Sequence, residues 1–235
     1  MSHVIYVVYA EDCIRRCTDY PRYERSTALF NIFLFLSFLK SMEEITENIT
    51  DDLKEACQVL QAGGLILYPT DTIWGIGCDA TNEEAVRKVY ELKQRADHKA
   101  MLVLVDNPAK LNGYVDEVPD VAWDLIELSD KPLTIIYSNA KNLAPNLVGE
   151  DGSVGIRITR ERFSHNLCER FRRPVVSTSA NKSGEPAPSS YSDISQSIRD
   201  GADYIVRYRQ TEQIQARPSG IVKVGRGGLI QVIRE

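Results

Sequence analysis

The stretch Leu65–Cys78 reads LILYPTDTIWGIGC. A short aliphatic run closes on Tyr68, and Pro69 ends it because proline has no N–H to give a strand ladder. Thr70, Asp71 and Thr72 then place two hydroxyls and a carboxylate at the exit of a buried strand. Gly75 and Gly77 permit either close backbone approach or a positive φ. A polar turn capped by its own side chains would use the same residues, so the run gains meaning only from its surroundings. Gly75, Gly77 and Ala80 fit a G-x-G-x-x-A spacing. A dinucleotide fingerprint puts its first glycine directly after the strand, whereas here Thr70–Trp74 intervene. No G-x-x-x-x-G-K-[ST] run exists either, which excludes a P-loop.

Outward from this run, strand-like and helix-like segments alternate, the pattern of an α/β fold. The β-rich runs are Leu65–Tyr68, Met101–Val105, Leu133–Tyr137, Val154–Ile158, Val175–Ser177, Tyr204–Tyr208, Gly220–Val224 and Leu229–Ile233. Helical patterns cover Thr50–Gln61, Glu83–Lys93, Pro108–Leu111, Val121–Leu128, Arg162–Phe171 and Ser192–Arg199. In the first, Thr50 is the expected N-cap, Asp51 and Asp52 suit the helix N-terminus, and Leu53, Ala56, Cys57 and Leu60 share a face. Asn82 is the expected cap of the second. Gly227 and Gly228 separate the last two strands as a hairpin, so the sheet is expected to be mixed. No linker or repeat divides this part of the chain, and residues 50–235 read as one domain.

Residues 1–41 differ. Val4–Tyr9 and Leu29–Leu39 are apolar runs flanking a stretch with four arginines, and the second is about half the length of a membrane span. No small-x-small cleavage site follows it. The expectation is an extension of doubtful relevance, with Met42 as the natural start. The whole chain has 235 residues, 43% hydrophobic, 26% charged, with a formal net charge of -5. That composition fits a soluble globular protein and argues against binding nucleic acid through bulk charge. Five cysteines at irregular spacing, with no second pair or histidine cluster, make a poor zinc site. They read as reduced thiols in a cytoplasmic protein.

Three further runs carry chemistry. LKQRADHK, Leu92–Lys99, brings Lys93, Arg95 and Lys99 within about two helical turns. Arginine can grip a phosphate with two parallel N–H donors, and lysine adds a compact charge. Complementing the helix dipole accounts for Lys93 but poorly for Lys99. SVGIRIT, Ser153–Thr159, alternates so that Val154, Ile156 and Ile158 face one side and Gly155, Arg157 and Thr159 the other. On that second side Arg157 is either a salt-bridged surface residue or a clamp for a carboxylate. PVVSTSANKSGEPAP, Pro174–Pro188, runs from a short strand into a turn dense in hydroxyls, a suitable anion nest.

These four elements, in this order, resemble the YrdC-like family of threonylcarbamoyl-AMP synthases, over roughly Leu53–Ile233. PTDTIWGIG, Lys93-x-Arg95 with Lys99, VGIRI and STSANKSG carry the likeness. The resemblance implies an open, twisted α/β sheet with flanking helices and a concave, positively lined substrate cavity. It implies a nucleotidyltransferase that joins L-threonine, bicarbonate and ATP into threonylcarbamoyl-AMP and pyrophosphate. The product would feed threonylcarbamoyladenosine formation in tRNA, with other proteins making the transfer. By position, Thr70 or Thr72 and Arg157 would hold threonine, with Ser177 bordering its pocket. Lys93, Arg95 and Lys99 would neutralise phosphates, Lys93 and Arg95 being the catalytic pair. Ser153, Ser179 and Asn181 would contact the nucleotide, Mg2+ would accompany the triphosphate, and no protein metal site is implied.

The chain also departs from the family pattern. Ala96 and Ala100 stand where prolines are common, SDKP precedes Leu133 where W-P-G-P is common, and Ser219–Gly220 replaces Ser-Thr. No contact is therefore assigned to Arg217 or Ser219. No cysteine or histidine, His98 included, has the setting of a nucleophile or general base, so the chemistry is expected to run on positioning and charge neutralisation. The alternative reading is an RNA-binding module of the same fold without catalysis. A weak affinity for tRNA is compatible with either, and neither calls for a membrane.

Overall fold

The computed structural model describes residues 49–95, 101–212 and 218–235. The expected extension at 1–41, Met42, and Ala96, His98, Lys99, Ala100 and Arg217 lie outside the described residues.

The described chain runs as α1 (residues 49–61), β1 (Ile66–Tyr68), β2 (Gly75–Gly77), α2 (Glu83–Lys93) and β3 (Leu102–Val105). It continues through a 3-10 turn (Pro108–Gly113) to α3 (Asp120–Leu128), β4 (Leu133–Tyr137), β5 (Val154–Ile158) and α4 (Arg162–Phe171). Last come β6 (Val175–Ser179), a 3-10 turn (Tyr191–Asp193), α5 (Gln196–Asp200), β7 (Tyr204–Ile205), β8 (Gly220–Val224) and β9 (Ile230–Arg234). The nine strands form one open sheet in the order β7-β1-β2-β6-β3-β5-β4-β8-β9. β3/β5, β4/β8 and β1/β7 pair in parallel, and the other five pairs are antiparallel. The mixed α/β sheet expected from the glycine hairpin is present. Gly227 and Gly228, at φ 72° and 80°, make its turn.

Strand alternation sorts the side chains onto two faces. On one face Leu67, Ile76, Val103, Ile135, Ile156 and Val176 pack with α2, α3 and α5 in the larger core. On the other face Ile66, Tyr68, Leu104 and Val175 pack with α1 and α4 in a second core. The expected stripe on α1 is this contact: Leu53, Ala56, Cys57 and Leu60 are all buried. The part of that second face beyond α1 and α4 is left open as a cleft.

Some expectations need correction. Ile49 and Thr50 are already helical, so Thr50 is not the cap of α1. Asp52 does more than complement the helix dipole. It is fully buried and accepts hydrogen bonds from the Tyr204 hydroxyl and the Arg207 and Tyr208 backbone. The glycines after Trp74 form strand β2 rather than a loop, and neither has a positive φ. Close approach is what requires Gly77, where a Cβ would meet the Tyr68 ring at 2.6 Å and the Val176 carbonyl at 3.1 Å. The helix expected over Ser192–Arg199 is split, because Ile194 and Ser195 are extended between the 3-10 turn and α5. The Tyr204 strand is only two residues long, since Asp52 takes the amides of Arg207 and Tyr208 that a longer ladder would use.

Candidate functional site

The open part of the sheet face forms a cleft of about 350 Å³, within the range of small-molecule sites. Its floor comes from one side of each alternating strand: Leu102 on β3, Thr134 and Ile136 on β4, Gly155 and Arg157 on β5, Ser177 and Ser179 on β6. The β1–β2 loop supplies Thr70 and Thr72. Arg95, just past α2, and Arg234, at the end of β9, add two further guanidinium groups.

The cleft thus gathers Thr70, Thr72, Arg95, Ser153, Arg157, Ser177 and Ser179 from the residues expected to act together. Lys93 and Asn181 stand behind it. Lys93 is 1% exposed, and its ammonium donates to the carbonyls of Ser179 (2.5 Å) and Asn181 (2.6 Å). Burial, with Arg95 nearby, pushes the Lys93 ammonium down to about 8. The Asn181 amide donates to the Glu185 carbonyl. Lys93 and Asn181 therefore brace the turn after β6 against the end of α2. Asn82 caps the first turn of α2, and at the other end Gln94, in the left-handed region at φ 50°, stops the helix and turns the chain toward Arg95.

Thr70 and Thr72 are not equivalent. The Thr70 hydroxyl donates to the Ile73 carbonyl (2.7 Å) and accepts from the Thr72 amide (3.1 Å). Its proton is committed, so the 3.0 Å contact between the two hydroxyls is donated by Thr72. That fills both acceptor positions of Thr70. The Thr72 oxygen accepts from Arg157 Nη1 at 3.4 Å and keeps one acceptor position.

Arg157 is 2% exposed and forms an ion pair with Asp71, Nη2 to Oδ1 at 3.1 Å. Burial lowers the Arg157 guanidinium and raises the Asp71 carboxyl, in each case against the pull of the other. Desolvation therefore outweighs their attraction, and Arg157 Nε makes no hydrogen bond among the described residues. Asp71 Oδ1 likewise lacks a hydrogen-bond partner among the described residues, so the pair is a charge contact that leaves guanidinium donor capacity for an entering carboxylate or phosphate.

Thr134, Ser219 and Arg234 also line the cleft and were not assigned from the sequence. The Ser219 hydroxyl lies 2.9 Å from that of Thr134, and Arg234 Nε donates to the Ser219 carbonyl. Alternation in β4 places Thr134 opposite Ile135, which was a usable signal. Arg234 left none, because it reaches the cleft only through the β4–β8–β9 pairing. Among the described residues no aspartate or glutamate lines the cleft, and no three histidine, cysteine or acidic side chains group to hold a metal. The polar side chains that the described residues offer there are hydroxyls and guanidinium groups. The described cysteines, Cys57, Cys78 and Cys168, are buried free thiols.

An open mixed sheet with flanking helices and a cleft lined by hydroxyl and guanidinium groups defines the class, an α/β protein with a concave, cationic sheet face. The Sua5_yciO_yrdC family, described as telomere recombination, matches residues 58–235, and the chain belongs to that family. Threonylcarbamoyl-AMP synthase of Pseudoalteromonas translucida (strain TAC 125) is 36% identical over 133 residues, 55% of this chain and 71% of that protein. The Pseudomonas aeruginosa (strain UCBPP-PA14) protein of the same name is 34% identical over 152 residues, 64% of this chain and 82% of that one. Among solved structures, P. abyssi Sua5 complexed with L-threonine has a TM-score of 0.66 at 22% identity, covering 76% of this chain and 52% of that one. E. coli YciO has a TM-score of 0.68 at 22% identity, covering 78% and 88%. These two structures share the fold.

Proposed function

We propose that this protein is a threonylcarbamoyl-AMP synthase: L-threonine, bicarbonate and ATP give threonylcarbamoyl-AMP and pyrophosphate, for threonylcarbamoyladenosine formation in tRNA. The relatives' names support the reaction. The observation in this chain that carries it is Arg157 on the cleft floor, its Nε without a hydrogen-bond partner among the described residues, beside the Thr72 hydroxyl, a pairing of cation and acceptor that suits an α-amino acid. Arg157 takes the threonine carboxylate, and the remaining acceptor of Thr72 faces its amino group. Ser177 borders this half.

The nucleotide half consists of Arg95, Ser153 and Ser179, with Arg234 lining the same cleft; Lys99, four residues after Arg95 in sequence, is assigned to the phosphates as well. Lys93 and Asn181 serve it by fixing the turn that carries Ser179. Bonding of the threonine nitrogen to the bicarbonate carbon releases water and leaves a carbamate. A carbamate oxygen then attacks the α-phosphorus, and pyrophosphate departs. Neither step needs a covalent bond to the protein, which fits a cleft whose contribution is orientation and charge stabilisation. Mg2+ would arrive with the triphosphate as part of the substrate, where it would offset phosphate charge alongside Arg95. The product passes to separate transfer proteins. No helix among the described residues is long and apolar enough to cross a membrane, and the cytoplasm is the site of action we assign.

The test is pyrophosphate release by the full chain in the presence of all three substrates, omitting each in turn. Release that needs both threonine and bicarbonate is the expected result. Tight, salt-dependent tRNA binding with no such release would favour an RNA-binding module instead.

A further inference from the structure

We infer that Arg209 is a positioning residue that sets the affinity for the amino-acid substrate by holding the Thr70–Thr72 loop in place, without lining the cleft itself. The inference rests on the reading of the cleft given above. The loop's internal hydrogen bonds fix its own shape, Thr70 to Ile73 and Thr70 to Thr72. Its placement against the rest of the fold needs an outside contact, and Arg209 supplies one. Arg209 Nη1 donates to the Thr70 carbonyl at 3.2 Å. This guanidinium borders a small hollow on the other side of the loop, which shares Thr70, Thr72 and Ile73 with the substrate cleft, while Arg209 lines only the hollow.

Arg209 is itself held on several sides. Its Nη1 lies 3.3 Å from Glu161 Oε1, and its Nε lies 2.6 Å from Glu212 Oε2. Glu161 is fixed in turn, because its other oxygen caps α4 through the Ser164 amide and hydroxyl, both at 2.8 Å. The Arg209 backbone sits in the left-handed region at φ 66°, a conformation that surrounding structure must impose on a residue with a Cβ. Asp52 imposes it from just upstream, where its buried carboxylate takes the amides of Arg207 and Tyr208. A chain of contacts thus runs from α1 and α4 through one guanidinium to the loop that presents Thr72. Displacing that loop by a fraction of an ångström would weaken the Thr72 acceptor toward a bound amine and leave the phosphate end untouched.

The experiment compares wild type, Arg209→Ala and Arg209→Lys in steady-state pyrophosphate release, varying L-threonine and ATP separately. Arg209→Ala is expected to raise KM for threonine about tenfold, the size of one lost hydrogen bond, with KM for ATP changed less than about twofold. Lysine keeps a cationic donor and should recover most of the loss. Glu212→Ala, which frees only one side of Arg209, should give a smaller shift of the same kind and decides the matter if Arg209→Ala does not fold. An unchanged threonine KM in an active Arg209→Ala enzyme overturns the inference. So does a parallel rise of both KM values that lysine does not rescue. A wild-type protein that releases no threonine-dependent pyrophosphate overturns the reading of the cleft as well.

Discussion

The Arg157 guanidinium and the Asp71 carboxylate meet at 3.1 Å, and burial disfavours the charged form of each more than the pair recovers. Asp71 sits between the two threonines of the substrate loop, and Arg157 sits on the floor of the cleft. The pair therefore ties the loop to the sheet and holds a cation where water is scarce. Asp71→Asn should lower unfolding free energy by about 3 kcal/mol, because Arg157 would stay buried with a weaker partner. Urea denaturation at pH 7 measures it, and a loss below about 1 kcal/mol would show that the pair is dispensable to the fold.

The two threonines should respond differently. Thr72→Val removes the hydroxyl with an acceptor left for substrate and should raise KM for L-threonine about tenfold. Thr70→Val removes a hydroxyl whose bonds are all internal, leaving the Thr72 amide and Ile73 carbonyl unpaired. It should cost stability, about 1–3 kcal/mol, with a lesser change in threonine KM. Kinetics and denaturation on the same two variants separate the roles, and the reverse pattern would reassign them.

Lys93 gives a pH signature. Its ammonium is pushed down to about 8 in the fold, below the usual lysine value of about 10.4 in an unfolded chain. Between those values the unfolded chain holds more protons, so this group makes stability rise as pH rises from about 8 to about 10.4. Lys93→Met removes the titration. Wild-type stability should therefore climb relative to Lys93→Met across that window, by at most about 3 kcal/mol, in denaturation at a series of pH values. Parallel curves would mean that Lys93 keeps an ordinary affinity for its proton.

Gly77 is required by contact rather than by backbone angle. Gly77→Ala should destabilise by about 1–3 kcal/mol, since the new methyl meets a fully buried Tyr68 ring and a backbone carbonyl. Gly113, where an added Cβ meets nothing within 4 Å, is the matching control and should stay within about 0.5 kcal/mol. Equal effects at the two positions would contradict the close packing of β1, β2 and β6.

Periodicity made the longer elements legible. β4, β5 and β8 begin and end where alternation predicts, and α2 and α4 match their apolar spacing. The face assignment in Ser153–Thr159 put Arg157 on the side that becomes the cleft. What failed depends on distant partners. β2 is three residues with two glycines and has no strand signal of its own; it exists because β1 and β6 flank it. Thr178 and Ser179 read as turn chemistry, yet the strand continues through them because β2 takes their hydrogen bonds. Charge alone could not show that Lys93 turns inward to carbonyls while Arg95 faces the cleft. Arg209 and Arg234 depend on contacts across the fold that no local pattern encodes.

The most direct test of the whole account follows the carbon of bicarbonate. The full chain is incubated with ATP, L-threonine and 13C-bicarbonate, and the nucleotide products are analysed by mass spectrometry. The expected product is threonylcarbamoyl-AMP one mass unit heavier than the unlabelled compound, formed together with pyrophosphate and abolished by omitting threonine. Pyrophosphate released without threonine, or an adenylate that carries no label, would contradict it.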